Sequence, residues 1–344
     1  MEGQKGKYRG CLIGGAIGDA LGWPIEFKSM EQIKAIYGSE GITDLDVGIK
    51  GVAEITDDTQ MTIFTSEGIL RAETREKRKG IVDVPSMIYR SYLRWLHTQG
   101  IESNIDQDGW ILSIKELQFR RAPGNTCLSA LRSSKKGSVQ EPINNSKGCG
   151  GVMRTAPIGL FYSKEKAFKL GCDSAAITHG HPSGFLPAGA LSYLIAALKE
   201  GIKFEKALQL SLEELKAQPS HEECSSLFEK ALDLASSDKN AIEAINQLGE
   251  GWVGEEALAI SIYSALKYQN QFETALAVAV NHNGDSDSTG AITGNILGCH
   301  LGMKAIPKDW IENVECSSNI LDLADDLYTR YQDSREWFRK YPGW

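Results

Sequence analysis

Two short clusters of aspartate, serine and threonine are the residues of this 344-residue chain best suited to chemistry. They are Thr56-Asp57-Asp58-Thr59 and Asn283-Gly284-Asp285-Ser286-Asp287-Ser288-Thr289-Gly290. One such residue is enough to cap a helix, and an acidic first turn suits the helix dipole. Both clusters hold more acids than capping requires, and adjacent carboxylates repel unless a cation neutralises them. Carboxylate and hydroxyl oxygens are hard ligands, so the clusters favour a site for Mg²⁺, Mn²⁺ or Ca²⁺.

The two clusters can form one site only if the fold brings two helix ends together. The first directly precedes the helical run QMTIFTSEGIL, and the second precedes AITGNILGCHLG. Two packed helices that begin at these clusters would bring four carboxylates and two hydroxyls around one or two metal ions. Capping stays open as the alternative for each cluster taken alone.

The rest of the chain has the periodicity of helices, with apolar residues at i, i+3, i+4 and i+7. This pattern predicts helices over 187–201, 203–218, 221–237, 255–268, 272–282 and 319–332. Long alternating runs of Val and Ile are absent, and the connections are short and marked by Gly or Pro. We therefore predict an all-α fold with a single domain over residues 1–344, and at most a minor β-hairpin near 36–55.

Glycines recur at helical spacing near the N-terminus, at Gly14, Gly18 and Gly22. They lack the G-x-G-x-x-G spacing and the preceding strand of a dinucleotide-binding loop. A buried helix with a face of small residues, against which another helix packs closely, explains them better.

Composition limits the partners of the chain. The net charge is −8, which argues against a general polyanion binder, and 42% hydrophobic residues argue against disorder. Seven scattered cysteines without a C-x-x-C pair favour reduced thiols and a cytoplasmic protein. The apolar run in 11–21 contains Asp19 and is too short to span a bilayer, so we expect no membrane contact. We also expect a monomer.

One local basic stretch, KELQFRRAPGNTCLSALRSSKK over 115–136, holds six basic residues and one acid. A solvated helix face is the favoured interpretation. Contact with a protein or nucleic-acid substrate is the alternative.

Six segments resemble, in order, the ADP-ribosylglycohydrolase family. They are GCLIGGAIGDALGWPIEF, ITDDTQMT, SKGCGGVMRTAPIG, THGHPSGFLPAGAL, GEGWVGEEALAIS and NHNGDSDSTGAITGNILG. The resemblance implies a compact, orthogonal all-α domain with a binuclear Mg²⁺ centre, or Mn²⁺, in a cleft that holds ADP-ribose.

The resemblance also implies roles for individual residues. The metal ligands it implies are Thr56, Asp57, Asp58, Asp285, Asp287 and Ser288. The catalytic base it implies is either the flap residue Glu26 or Asp57. The ADP-ribose contacts it implies are Ser146, Lys147, Gly148, Cys149, Gly150 and Gly151 at the diphosphate and ribose, His179 near the ribose or phosphates, and Trp252 at the adenine. Many relatives have Asn at the position of Cys149.

The function implied is hydrolysis of the glycosidic bond between ADP-ribose and an acceptor, with protein arginine as the leading acceptor and ADP-ribose as the product. Serine-linked, nucleic-acid-linked and small guanidine substrates are alternatives. A non-catalytic ADP-ribose binder and a metal-dependent phosphohydrolase are the rival classes.

Overall fold

The computed structural model describes residues 2–343, so the two ends of the predicted domain, Met1 and Trp344, lie outside the described residues. Within this range the protein has seventeen α-helices and no strands, which confirms the all-α prediction. The helices are α1 (Glu2–Gly22), α2 (Met30–Tyr37), α3 (Asp57–Lys79), α4 (Val84–Thr98), α5 (Asn125–Arg132), α6 (Ala156–Phe161), α7 (Lys164–Ala176), α8 (Pro182–Lys199), α9 (Phe204–Lys216), α10 (Glu222–Ala235), α11 (Ala241–Leu248), α12 (Gly254–Lys267), α13 (Phe272–Val280), α14 (Ser286–Leu301), α15 (Lys308–Asn313), α16 (Ser317–Thr329) and α17 (Arg335–Lys340).

Short 3₁₀ turns complete the architecture, at Trp23–Ile25, Ile111–Ser113, Lys115–Gln118, Cys149–Gly151 and Met303–Ala305. The six helices expected from periodicity all form, as α8, α9, α10, α12, α13 and α16. The hairpin near 36–55 does not form, because α2 ends at Tyr37 and an irregular loop follows it. The only β-bridges in residues 2–343 are isolated pairs, Ala53 with Val314 and Gly148 with Val253.

The glycine face of α1 packs against α14, and the two helices run antiparallel. A Cβ added to Gly294 would lie 1.9 Å from the carbonyl oxygen of Gly14, and one added to Gly290 would lie 2.2 Å from that of Gly18. No side chain fits at these distances, so the predicted close helix packing is confirmed. We call this contact of Gly14 and Gly18 with Gly294 and Gly290 the glycine seam. It places the C-terminal end of α1 beside the N-terminal end of α14.

The last turn of α1 also meets the start of α3. Thr56 caps α3, and Gly80 ends it in the left-handed conformation with φ +71°. The buried carboxylate of Asp19 on α1 contacts the first turn of α3. One buried helix therefore touches the N-termini of both helices that begin with acidic clusters.

The basic stretch over 115–136 is not one helix face, contrary to the favoured interpretation. It consists of a 3₁₀ turn, a loop and the short helix α5. Arg121 is bound by Glu54 at 2.9 Å and Glu315 at 2.8 Å, and Lys136 contacts Asp83.

All seven cysteines are free thiols. No helix in residues 2–343 has the length and apolar character needed to cross a membrane.

Candidate active site

The two acidic clusters meet in a cleft of about 360 Å³. Its lining includes most of the residues predicted to act: Glu26, Asp57, Asp58, Gly148, Cys149, Gly150, His179, Trp252, Asp285, Asp287 and Ser288. A larger groove of about 590 Å³ between α2, α11 and α13 contains none of these residues. The smaller cleft is therefore the candidate active site.

The first cluster projects two carboxylates from the first turn of α3. Asp57 and Asp58 are 5% and 3% exposed. One oxygen of Asp57 accepts a hydrogen bond from the Gly124 N–H at 3.3 Å, whereas Oδ2 of Asp58 has no hydrogen-bond partner. Burial comes first among the causes that raise the pKa of Asp57 to about 8, and the nearby Asp19 and Asp285 add to it. Burial and neighbouring acids also raise the pKa of Asp58 strongly.

The second cluster starts α14 and satisfies more of its own hydrogen bonds. Oδ1 of Asp285 and Oδ1 of Asp287 both accept from the Ser288 N–H, at 3.2 and 2.9 Å. The Cys149 thiol donates to Oδ2 of Asp285 at 2.8 Å. Burial, followed by the charge of Asp285, raises the pKa of Asp287 strongly. The hydroxyl of Thr289 donates to backbone carbonyl groups and has a structural role.

Glu26 faces both clusters from the turn that follows α1. Its Oε2 is buried without a hydrogen-bond partner. Burial, followed by the charges of Asp285 and Asp57, raises its pKa to about 8. Five acidic groups thus converge on the cleft from three chain segments.

The electrostatics of the cleft favour a bound cation. No Lys, Arg or His of the described chain lies within salt-bridge distance of these five carboxyl groups, so no protein cation neutralises them. The oxygen-rich donor set suits a hard divalent ion. No three His, Cys, Asp or Glu side chains in residues 2–343 stand in a preformed metal-binding arrangement. A cation therefore fits here because these acidic groups have no neutralising partner. The described residues do not already form a complete set of metal ligands.

The glycine loop forms another wall of the cleft and lies against His179. A Cβ on Gly148 would lie 3.3 Å from Nε2 of His179, and a Cβ on Gly150 would lie 3.1 Å from its Cε1. The loop is tied down by the Cys149 N–H, which donates to the Trp252 carbonyl at 3.1 Å. Burial and the nearby Arg154 lower the pKa of His179 to about 3, so the imidazole is neutral at physiological pH.

Trp252 stands at the mouth of the cleft and stacks on Phe27. Their ring centres are 5.2 Å apart and the rings are nearly parallel, at 20°. Phe27 directly follows Glu26, has a left-handed backbone with φ +63° and is 71% exposed. The stacked rings therefore connect the segment of Glu26 and Phe27 with the segment that contains Trp252.

Four of the predicted residues lie beside the cleft and do not line it. The Thr56 hydroxyl donates to Asp19, and the Ser146 hydroxyl accepts from the Gly148 N–H. The ammonium group of Lys147 points away to Glu223, at 2.6 Å. Gly151 packs under α8, where an added Cβ would lie 2.5 Å from the Gly184 carbonyl oxygen.

Sequence reasoning missed Asp19 and Phe27. The loop over 122–127, which lines the cleft together with Phe27, lies in the basic stretch for which substrate contact was the alternative interpretation. Asp19 had a visible signal, because it is the only charged residue in the apolar run 11–21. For Phe27, the residue type alone indicates no site.

The described residues thus form an all-α domain whose cleft is lined by five acidic side chains. The family model described as ADP-ribosylglycohydrolase matches residues 2–336. The chain therefore belongs to the ADP-ribosylglycohydrolase family and is an enzyme of that family, as its motifs predicted.

Similar proteins cover nearly the whole chain. The ADP-ribosylarginine hydrolase Tri1 of Serratia proteamaculans is 26% identical over 94% of this chain and 79% of its own length. The ADP-ribosylhydrolase ARH3 of Mus musculus is 23% identical over 95% of this chain and 92% of its own. A solved structure described as an ADP-ribosylglycohydrolase-related protein complex superposes with a TM-score of 0.65 at 22% identity, over 96% of this chain and 99% of that one, and shows the same fold.

Proposed function

We propose that this protein hydrolyses the glycosidic bond between ADP-ribose and a protein arginine, with the help of bound divalent cations. The observation that carries the proposal is the convergence of two acidic helix N-termini and Glu26 on one cleft beside a glycine loop. The choice of arginine is supported by the similarity to a protein named as an ADP-ribosylarginine hydrolase.

The residues that would hold the cations are the six implied by the motifs: Thr56, Asp57, Asp58, Asp285, Asp287 and Ser288. We propose two Mg²⁺ ions, with Mn²⁺ as the alternative. When bound, such ions supply orientation of the sugar hydroxyls and polarisation of a water molecule. Neutralisation of the buried acids would also let an acidic protein accept the anionic diphosphate.

ADP-ribose would bind with its diphosphate on the loop from Gly148 to Gly150, where the lack of side chains lets phosphate approach the backbone. The imidazole of His179 would donate one hydrogen bond there. Its Nδ1 contacts the Thr178 hydroxyl at 2.8 Å, and that hydroxyl in turn accepts from Arg154 at 2.6 Å. The Thr178 proton is then available to Nδ1, which leaves Nε2–H as the donor facing the loop.

Adenine would stack on Trp252, an interaction worth about 1–3 kcal/mol for a base on an aromatic side chain. In this structure Phe27 already covers one face of Trp252. The base would therefore displace Phe27 or use the other face of the indole.

Glu26 is the better candidate for the base, because one of its oxygens has no hydrogen-bond partner while Asp57 already accepts from Gly124. Glu26 would take a proton from water as the water oxygen bonds to the anomeric carbon of the distal ribose. The bond from that carbon to the arginine nitrogen breaks with its electron pair going to nitrogen. The proton held by Glu26 then passes to that nitrogen as arginine leaves.

The test is a set of hydrolysis assays with differently linked substrates: ADP-ribosyl-arginine protein, ADP-ribosyl-serine protein, ADP-ribosylated nucleic acid and ADP-ribosyl guanidine. We expect Mg²⁺-dependent release of intact ADP-ribose, fastest from arginine, and loss of activity with EDTA. Faster release from another substrate would overturn the arginine assignment. Release of AMP would identify a phosphohydrolase, and ADP-ribose binding by calorimetry without any turnover would identify a non-catalytic binder.

A further inference from the structure

Asp19 is a buried acid outside the cleft lining, and all of its hydrogen bonds go to the first turn of α3. It is 0% exposed. Its carboxylate accepts from the Thr56 N–H at 3.0 Å and hydroxyl at 2.8 Å, and from the Thr59 N–H at 3.1 Å and hydroxyl. No cation in residues 2–343 lies within salt-bridge distance of it. One side chain thus binds four donors at the start of a helix whose N-cap lies 37 residues later in the chain.

Asp57 and Asp58 do not have to cap α3, because other groups accept from its first N–H groups. The first N–H groups of a helix have no partner within the helix and require capping. In α3 the Asp57 N–H donates to the Arg121 carbonyl at 3.0 Å, the Asp58 N–H donates to the Thr56 hydroxyl at 3.2 Å, and the Thr59 N–H donates to Asp19. Neither Asp57 nor Asp58 is used as a cap, so both carboxylates are free to face the cleft.

Asp19 also orients the Thr56 hydroxyl. The Thr56 hydroxyl donates its proton to Asp19 and accepts from the Asp58 N–H, which leaves one lone pair of its oxygen for another partner. An outer carboxylate that fixes the orientation of a ligand in this way is a recurrent feature of metal sites, and its loss costs about 10–100-fold in metal affinity.

The same helix holds the second cluster through its glycine seam, in which Gly18, next to Asp19, packs on the backbone of Gly290. We propose that Asp19 is a positioning residue for the reaction, which sets the first carboxylate cluster relative to the second. This inference rests on the proposed function. It assigns Asp19 no contact with substrate or with the reacting atoms.

The test compares Asp19→Asn and Thr59→Val with the wild-type protein, and uses Thr65→Val as the matched control. Thr65 is a buried hydroxyl two turns further along α3, bonded to Tyr92 and away from the cleft. For Asp19→Asn we expect Mn²⁺ binding, measured by electron paramagnetic resonance, to weaken about 10-fold or more. We expect kcat to fall by a similar factor, with a change in KM of less than about 3-fold, because the substrate contacts remain. Thr59→Val should show a smaller change in the same direction, and Thr65→Val no change.

Hydrogen exchange in the metal-free protein separates this inference from the proposed function. We expect the amides of residues 56–60 to exchange faster in Asp19→Asn than in wild type, whether or not the protein turns over ADP-ribosyl substrates. Wild-type Mn²⁺ affinity and kcat in a folded Asp19→Asn protein would overturn the inference. If Asp19→Asn fails to fold, unchanged Mn²⁺ affinity in Thr59→Val would overturn it equally. Absence of Mn²⁺ binding in wild type, together with faster exchange in Asp19→Asn, would reject the metal site while retaining the role of Asp19 at α3.

Discussion

The first turns of α3 and α14 carry similar residues but are capped in different ways. The first turn of α3 is capped from outside, by Asp19 and the Arg121 carbonyl, and by the hydroxyl of Thr56. The first turn of α14 is capped by its own acids, because Asp285 and Asp287 both accept from the Ser288 N–H. Similar sequences therefore present different numbers of free carboxylate oxygens to the cleft. The outside support is what keeps Asp57 and Asp58 available.

The largest effect is expected where both clusters are needed for the same step. We predict that Asp58→Asn and Asp287→Asn each lower Mg²⁺-dependent turnover by about 100-fold or more, since removal of one positioned group typically costs 10²–10³ in kcat. Steady-state hydrolysis of ADP-ribosyl-arginine protein measures this. Asp106→Asn is the control, because Asp106 is an exposed acid paired only with Arg90. If one cluster proves dispensable, the two helix ends do not form one site.

A single methyl group added in the glycine seam between α1 and α14 should destabilise the folded protein. A Cβ on Gly294 would meet the backbone of Gly14 at 1.9 Å, whereas a Cβ on Gly3 of the same α1 helix has nothing within 4 Å. Gly294→Ala should destabilise the protein by about 1–3 kcal/mol or more, as overpacking does. Gly3→Ala should have no destabilising effect. Thermal unfolding measures both, and equal melting temperatures would contradict the close packing.

The free energy of unfolding should depend on pH because the pKa of Asp57 is raised in the folded protein. Asp57 has a folded pKa of about 8, against about 4 for an unfolded aspartate. The folded state then binds more protons than the unfolded state between these values, so the stability from this group is present below about pH 4 and is lost as pH rises to about 8. In EDTA, Asp57→Asn should therefore gain stability relative to wild type as pH rises from 5 to 8. Mg²⁺ should reduce that difference, and a pH-independent difference would contradict the raised pKa.

The smallest effect is expected at the thiol that contacts Asp285. Cys149→Ser keeps a donor to the Asp285 carboxylate, so no hydrogen bond is lost and turnover should change less than about 3-fold. Loss of turnover as large as that of Asp287→Asn would instead identify the thiol as part of the reaction.

The fold was predictable from sequence because helical periodicity and small-residue spacing are local signals. The seam of α1 was visible in the spacing of its glycines, although its partner helix was not. The cleft residues were predictable where the acidic side chains are neighbours within one motif, as in Asp57-Asp58 and Asp285-Ser286-Asp287.

Three features depend on contacts that sequence spacing does not encode. Asp19 meets Thr56 across 37 residues, and the Cys149 thiol meets Asp285 across 136. Lys147 stands within a phosphate-loop motif, yet its ammonium group pairs with Glu223 outside the cleft. Position in a motif predicts where the backbone lies and does not predict which partner a long side chain takes.

Binding of Mn²⁺ to the metal-free protein is the most direct measurement of whether the two helix ends form one cation site. We predict two ions per chain in wild type, with affinity lowered about 10-fold or more by Asp58→Asn on α3 and likewise by Asp287→Asn on α14. Wild-type affinity in either variant, or no binding by the wild-type protein, would contradict it.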